Sequence, residues 1–173
     1  RQGDIDGFAS REPAGTAVPL DVMIALHACD TATDDALHQG VRAGASILIC
    51  SPCCHKELRP QLLSPHPLRP ILRHGIHQTQ QAEMLTDGLR ALVLQAHGYD
   101  AQVFEFVALE HTRKNKMILA TRRDANRPQS PRQVVAGNVA DAESAMTARR
   151  QIDELMAFYG IRSQRLYSLL CPP

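Results

Sequence analysis

The chain has 173 residues, 44% of them hydrophobic, with no Trp and a net charge of +1. That length suits one domain of ordinary size, and no apolar run approaches the roughly 18 residues of a membrane-spanning helix. A soluble domain is expected, with a core of Leu, Val, Ile, Ala and Met. The charge is unevenly placed: Arg113, Lys114, Lys116, Arg122, Arg123, Arg127 and Arg132 crowd one stretch against a single acid, Asp124. Such a run is either a solvated hairpin tip and linker or an electrostatic surface for a polyanion such as RNA. The five cysteines are odd in number and include the adjacent pair Cys53–Cys54. They do not form a disulfide framework, and they point to a reducing, cytoplasmic compartment.

Residues 1–20 are rich in Gly and Pro and read as loop. Val22 to Leu26 is a short unbroken apolar run, the pattern of a strand covered on both faces of a parallel sheet. Thr31-Ala-Thr-Asp34 matches a helix-opening box, in which the Thr31 hydroxyl accepts the Asp34 amide and the Asp34 carboxylate binds back. Leu37 and Val41 share a face of that helix, and Gly40 and Gly44 mark its end. Ser46–Cys50 is a second apolar strand, completing a compact βαβ unit.

Gln81 to Ala96 has the clearest helical period, with Ala82, Leu85, Leu89, Leu92, Val93 and Ala96 on one face, Thr79 as N-cap and Gly98 just past the end. Gln102–Leu109 and Met117–Thr121 are predicted as an antiparallel strand pair. Met117–Ala120 is apolar on both faces and should lie inside the sheet, whereas Glu105 fits an edge. Pro128 and Pro131 mark a linker, and Asn138–Asp141 caps a last helix that ends at Gly160.

Reactive side chains concentrate in two segments, His27–Asp34 and Ser51–Glu57, each directly after an apolar strand. In a parallel α/β sheet both emerge at the carboxyl ends of neighbouring strands, where ligands bind. Three chemistries fit the cluster. Thiols and imidazoles suit a tetrahedral zinc site, although paired Cys-x-x-Cys knuckles are missing. Cys53 or Cys54 could be a nucleophile activated by His55, Lys56 and a helix N-terminus. The side chains could instead form a polar rim around cofactor and substrate. Each cysteine taken singly is also an ordinary small apolar filler, and Cys50 should point into the sheet.

The pairing of Leu26-His-Ala-Cys-Asp-Thr-Ala-Thr-Asp34 with Pro52-Cys-Cys-His55 resembles the signature of a subgroup of Rossmann-like, S-adenosylmethionine-dependent methyltransferases. That subgroup includes bacterial enzymes of unassigned substrate and, more distantly, eukaryotic enzymes that methylate tRNA ribose or ribosomal proteins. The resemblance runs on through His74-Gly-Ile-His77, Phe104-Glu-Phe106 and Glu110-His-Thr-Arg-Lys-Asn115, covering residues 1 to about 122. It implies an α/β sheet that is parallel except for a last strand inserted antiparallel between the fifth and sixth. Val22–Leu26 and Ser46–Cys50 would be strands four and five, Gln102–Leu109 strand six and Met117–Thr121 strand seven.

The resemblance also implies roles. Asp4 and Ile5 would hold the adenine of S-adenosylmethionine, and the segment His27, Ala28 and Cys29 its methionine end. Asp30, Cys53, Cys54 and His55 would face the methyl acceptor, with His55 or Asp30 as base; no metal is expected among them. RNA or a ribosomal component is the expected acceptor.

The glycine-rich turn and the ribose-binding acid of such enzymes are not found, and Gly3 and Gly7 do not supply the turn. The expectation is therefore the carboxyl-terminal half of a methyltransferase domain in residues 1–122, a linker at 123–137 and a helical appendage at 138–173. On that expectation the chain is inactive alone, and it self-associates through an exposed strand edge at Val22–Leu26. The alternative is a non-enzymatic RNA- or zinc-binding module on a degenerate fold of the same kind.

Overall fold

A computed structural model describes residues 20–63, 67–106, 115–123 and 140–171. Strand β1 (Val22–Leu26) leads through a tight loop into helix α1 (Thr31–Arg42) and strand β2 (Ile47–Ser51). A 3₁₀ turn at Gln61–Leu63 and the short helix α2 (Arg69–Leu72) precede the long helix α3 (Gly75–Ala96). Strands β3 (Tyr99–Glu105) and β4 (Lys116–Arg122) follow, then helices α4 (Ala140–Tyr159) and α5 (Arg165–Leu170). The sheet order is β1-β2-β4-β3, with β1 parallel to β2 and β4 antiparallel to both neighbours. This is a mixed sheet with flanking helices, an α/β fold. As its composition predicts, β4 is interior and β3 an edge.

The sheet's two faces differ. Met23, Ala25, Leu48, Cys50, Ile118, Ala120, Tyr99 and Ala101 face a single core shared with Leu37, Leu85, Leu89, Val93, Ile152 and Leu166 from the helices. Gly40 lets α1 approach this face: a Cβ there would lie 2.6 Å from a Leu48 methyl. It is therefore a close-packing glycine inside the helix, and Gly44, at φ 69°, is the residue that follows the helix end. By the strand register the opposite face carries Val22, Ile24, Leu26, Ile47, Ile49, Leu119, Met117 and Phe104. Ile24 is 60% and Leu26 56% exposed. The apolar runs predict burial on both faces; among the described residues the helices cover one.

Other boundaries moved for identifiable reasons. α3 starts at Gly75, so Thr79 lies inside it and donates its hydroxyl to the Gly75 carbonyl at 2.8 Å rather than capping. β3 starts at Tyr99, three residues before its expected start, because Gly98 at φ 83° turns the chain straight from helix to strand. Tyr99 is then buried, with its hydroxyl on the Ala45 carbonyl at 2.8 Å. The Thr31–Asp34 box does not form. Asp30 occupies the N-cap position without a side-chain cap, and the Asp34 carboxylate is taken by Arg90. Gly160, at φ 67°, ends α4 as expected; the residues expected to cap its start lie outside those described.

Residues 140–171, set apart in the sequence as an appendage, contribute Ile152, Ile161 and Leu166 to the common core. Gln61 fastens them in place: its side-chain oxygen accepts the Arg162 and Ser163 amides at 2.7 and 3.1 Å, and its nitrogen donates to the Ser163 carbonyl at 2.9 Å. Among the described residues no helix is long and apolar enough to cross a membrane.

Candidate active site

Parallel pairing of Leu26 with Ser51 brings the ends of β1 and β2 level, so their two following loops leave the sheet side by side. The first loop is sharply turned: His27 and Asp30 have φ of 59° and 54°, a left-handed region that L side chains avoid. Strain of this kind persists only where surrounding contacts impose it. Here the Thr33 hydroxyl donates to the Ala28 carbonyl, and Arg90 Nη2 donates to the Asp30 carbonyl at 2.9 Å. Asp30 then reaches across: its Oδ1 accepts the backbone amides of Lys56 at 2.8 Å and Glu57 at 3.2 Å. One carboxylate thus ties the first loop to the second.

The tie gathers three thiols. Cys29 Sγ lies 3.1 Å from Cys53 Sγ and 3.8 Å from Cys54 Sγ, and the latter two are 3.7 Å apart. Cys29 is exposed, and Cys53 and Cys54 are half-buried. The neighbouring Cys29 thiol, burial and Cys54 together push Cys53 up to about 12, the reverse of an activated nucleophile. Cys50, buried in β2, is pushed up to about 12 by burial and is inert filler in the sheet, as expected.

Beneath the loops lies a buried ionic knot. Arg90 of α3, 1% exposed, holds Asp34 of α1 with two bonds of 2.9 and 2.7 Å and reaches Asp87 at 3.3 Å. Gln164, at the start of α5, donates to Asp34 Oδ1 at 2.7 Å. Burial opposes the Arg90 charge, but its bonds to Asp34 and the nearby Asp87 raise its pKa further. Asp34 takes the better donors, which leaves Asp87 with the longer bond and a buried Oδ2 without a hydrogen-bond partner. Burial pushes Asp87 up to about 6.

His55 points at this pair, its Nδ1 3.9 Å from Asp87 Oδ1 and without a hydrogen bond. Burial and the Arg90 charge lower it to about 4, so the imidazole is neutral at neutral pH. Glu57, also desolvated, is pushed up to about 7.

Of the residues singled out in the sequence, Cys29, Asp30, Cys53, Cys54 and His55 come together. His27 and Ala28 form the turn that supports them. Asp4 and Ile5 lie outside the described residues. Of the basic run, the described members are engaged by the fold. Lys116 pairs with Glu83 at 3.0 Å, Arg122 donates to the Gly44 carbonyl at 2.7 Å, and Arg123 donates to the Gln95 and Tyr99 carbonyls. Arg113, Lys114, Arg127 and Arg132 lie outside those described. Sequence reasoning missed Arg90, Asp87 and Gln164. The available signal was Asp87 and Arg90, the two charged residues of the mostly apolar stretch Met84–Ala96, three apart, a spacing that lets them pair.

With this geometry in view, comparison with known proteins gives a specific result. Residues 4–61 match a family model described as a methyltransferase domain. The match contains β1, α1, β2 and both reactive loops, and it supports methyl transfer in general terms. A glutathione S-transferase C-terminal domain-containing protein homolog from Drosophila pseudoobscura pseudoobscura is similar too, 37% identical over 67 residues. That alignment covers 39% of this chain and 10% of the relative, so the chain spans a small fraction of the relative's length. No solved structure matches significantly.

Proposed function

We propose that the chain is the acceptor-side half of a Rossmann-like methyltransferase domain that uses S-adenosylmethionine and methylates RNA or a ribosomal component. The observation that carries the reading is the meeting of the two reactive loops at the carboxyl ends of a parallel strand pair, inside the segment that matches a methyltransferase domain. An antiparallel strand seated between β2 and the edge strand β3 supports the same architecture, as does the apolar face that no helix among the described residues covers, since sheets of this class are covered on both sides.

The residues present fit one end of such a cofactor. The strained turn at His27–Cys29 stands beyond β1 and offers backbone to the methionine end. The adenine contacts fall to Asp4 and Ile5, and the glycine-rich cofactor turn would come with strands added along β1. The cofactor supplies an activated methyl group, so the protein's work is to align the acceptor and remove its proton. Asp30 is committed to the Lys56 and Glu57 amides and acts as a positioning residue. Proton removal then falls to His55, whose imidazole burial keeps neutral. Lys116, Arg122 and Arg123 are held by the fold, so support for RNA as the acceptor class rests on the other basic residues of the run, Arg113, Lys114, Arg127 and Arg132.

Calorimetric titration of S-adenosylmethionine into the 173-residue chain and into the full-length product containing it tests this reading. Binding by the longer form alone, with transfer of labelled methyl groups to RNA, is the expected result. Absence of binding by both overturns the cofactor assignment, and labelling of protein alone overturns the acceptor.

A further inference from the structure

We infer that Cys29, Cys53 and Cys54 bind a zinc ion through three thiolates, with a fourth coordination position facing solvent at the mouth of the two loops. The inference stands on the geometry of the thiols and is independent of the methyl-transfer reading. Zinc–thiolate bonds of about 2.3 Å in a tetrahedral site separate the sulfurs by about 3.8 Å along each edge. Two of the three separations, 3.7 and 3.8 Å, already have that value. The third, Cys29 to Cys53 at 3.1 Å, needs an outward shift of about 0.7 Å, within reach of a side-chain rotation. All three ligand atoms lie within 4.8 Å of one another.

The alternatives use the arrangement less well. A disulfide at about 2.05 Å would join two sulfurs and leave the third packed against it without a role. A catalytic thiol needs one sulfur and a base, not three sulfurs. The remaining acidic cluster, His55 with Glu83 and Asp87, is a poorer cation site because the Lys116 ammonium already sits on Glu83.

The donors are also preorganised from outside the set. Asp30 binds the amides of Lys56 and Glu57, and Arg90 holds the Asp30 carbonyl, so Cys29 is fixed against Cys53 and Cys54 before any ion arrives. Supporting bonds of this kind are what set ligand geometry in metal sites. Three protein ligands with an open fourth position is the pattern of a zinc that binds water or substrate, not of a closed structural site. Each thiol loses its proton as its sulfur–zinc bond forms, and the three protons pass to buffer.

The test is made on the reduced 173-residue chain. Zinc content is measured after purification, and the metal-free protein is titrated with Co²⁺. Zinc at one ion per chain is expected, with a sulfur-to-cobalt charge-transfer band and the visible bands of tetrahedral Co²⁺. Cys29→Ser, Cys53→Ser and Cys54→Ser should each lose the charge-transfer intensity, and Cys171→Ser should keep it. Cys29 is exposed, so Cys29→Ser should preserve the far-ultraviolet circular dichroism and decide the matter even if the half-buried variants misfold. No charge-transfer band at saturating Co²⁺ overturns the site, as does a band undiminished in folded Cys29→Ser.

Discussion

The two faces of the sheet are nearly equal in apolar content and opposite in fate. On one, Leu48, Cys50, Ile118 and Ala120 are sealed beneath α1, α3 and α5, and the seal includes a buried ionic knot around Arg90. On the other, Ile24, Leu26 and Phe104 are exposed. A strand's composition reports how much burial its residues would gain, not whether this stretch of chain provides the cover. The covered face holds the reactive loops in place from below; the other face is one that no helix among the described residues covers.

Removing the knot should have the largest effect. Arg90→Ala leaves the Asp34 and Asp87 carboxyls buried without their cation, and truncating one partner of a buried pair costs about 3–5 kcal/mol. That is a large share of a typical domain's total stability. Because Arg90 also holds the Asp30 carbonyl, the same change should free the first loop. Denaturant unfolding checks the stability, and proteolysis between β1 and α1 checks the loop. A loss under about 1 kcal/mol would show that water reaches the knot and that the covered face is less sealed than its geometry implies.

How much of this was legible in the sequence follows from what each signal measures. The β1–α1–β2 unit, the interior position of β4 and the apolar stripe of α3 are written in local periodicity and were readable within a few residues. So was the convergence of Cys29, Asp30, Cys53, Cys54 and His55, because both loops follow strands that pair in parallel. Asp34 was misread because a helix-opening box is judged on four residues. The arginine that claims its carboxylate lies 56 residues away on α3, and Gln164 lies 130 away on α5. The 138–173 helices looked separable for the same reason. Their attachment runs through Gln61 and Asp34, polar side chains that no hydrophobic period reveals.

A smaller effect follows from Asp87, and its sign separates it from its neighbours. Its pKa is raised from 3.8 to about 6 in the fold, so the native state keeps a proton that the unfolded chain releases. The stability it contributes is present below pH 3.8 and is lost as pH rises toward 6. Arg90, Glu83 and Lys116 all act on Asp87, and His55 stands beside it. Glu57, raised from 4.5 to about 7, has the same sign over a later window. His55, lowered from 6.5 to about 4, has the opposite sign and loses stability as pH falls. Asp87→Asn isolates the first contribution: between pH 4 and 7 the wild type should lose on the order of 2 kcal/mol relative to the variant. Parallel stability curves for the two proteins would mean that Arg90 offsets the burial of the Asp87 carboxylate.

The smallest effect on stability belongs to the face that no described helix covers. Ile24 is the central residue of β1, which pairs with β2 on one side and has no strand on its other side among the described residues. Replacing it with Lys should change stability by about 0.5 kcal/mol or less, because the native position gains little from burial. Association should respond far more. An unpaired edge with an apolar face invites another copy to add a strand, and a lysine on an edge is a device that natural sheets use to prevent this. In sedimentation velocity the 173-residue chain should associate as concentration rises, and Ile24→Lys should stay monomeric with an unchanged unfolding midpoint. A wild type that is monomeric throughout would mean that the edge and its apolar face are satisfied within one copy. Association lost in Ile24→Lys would instead mark β1 as the edge through which copies of this chain pair.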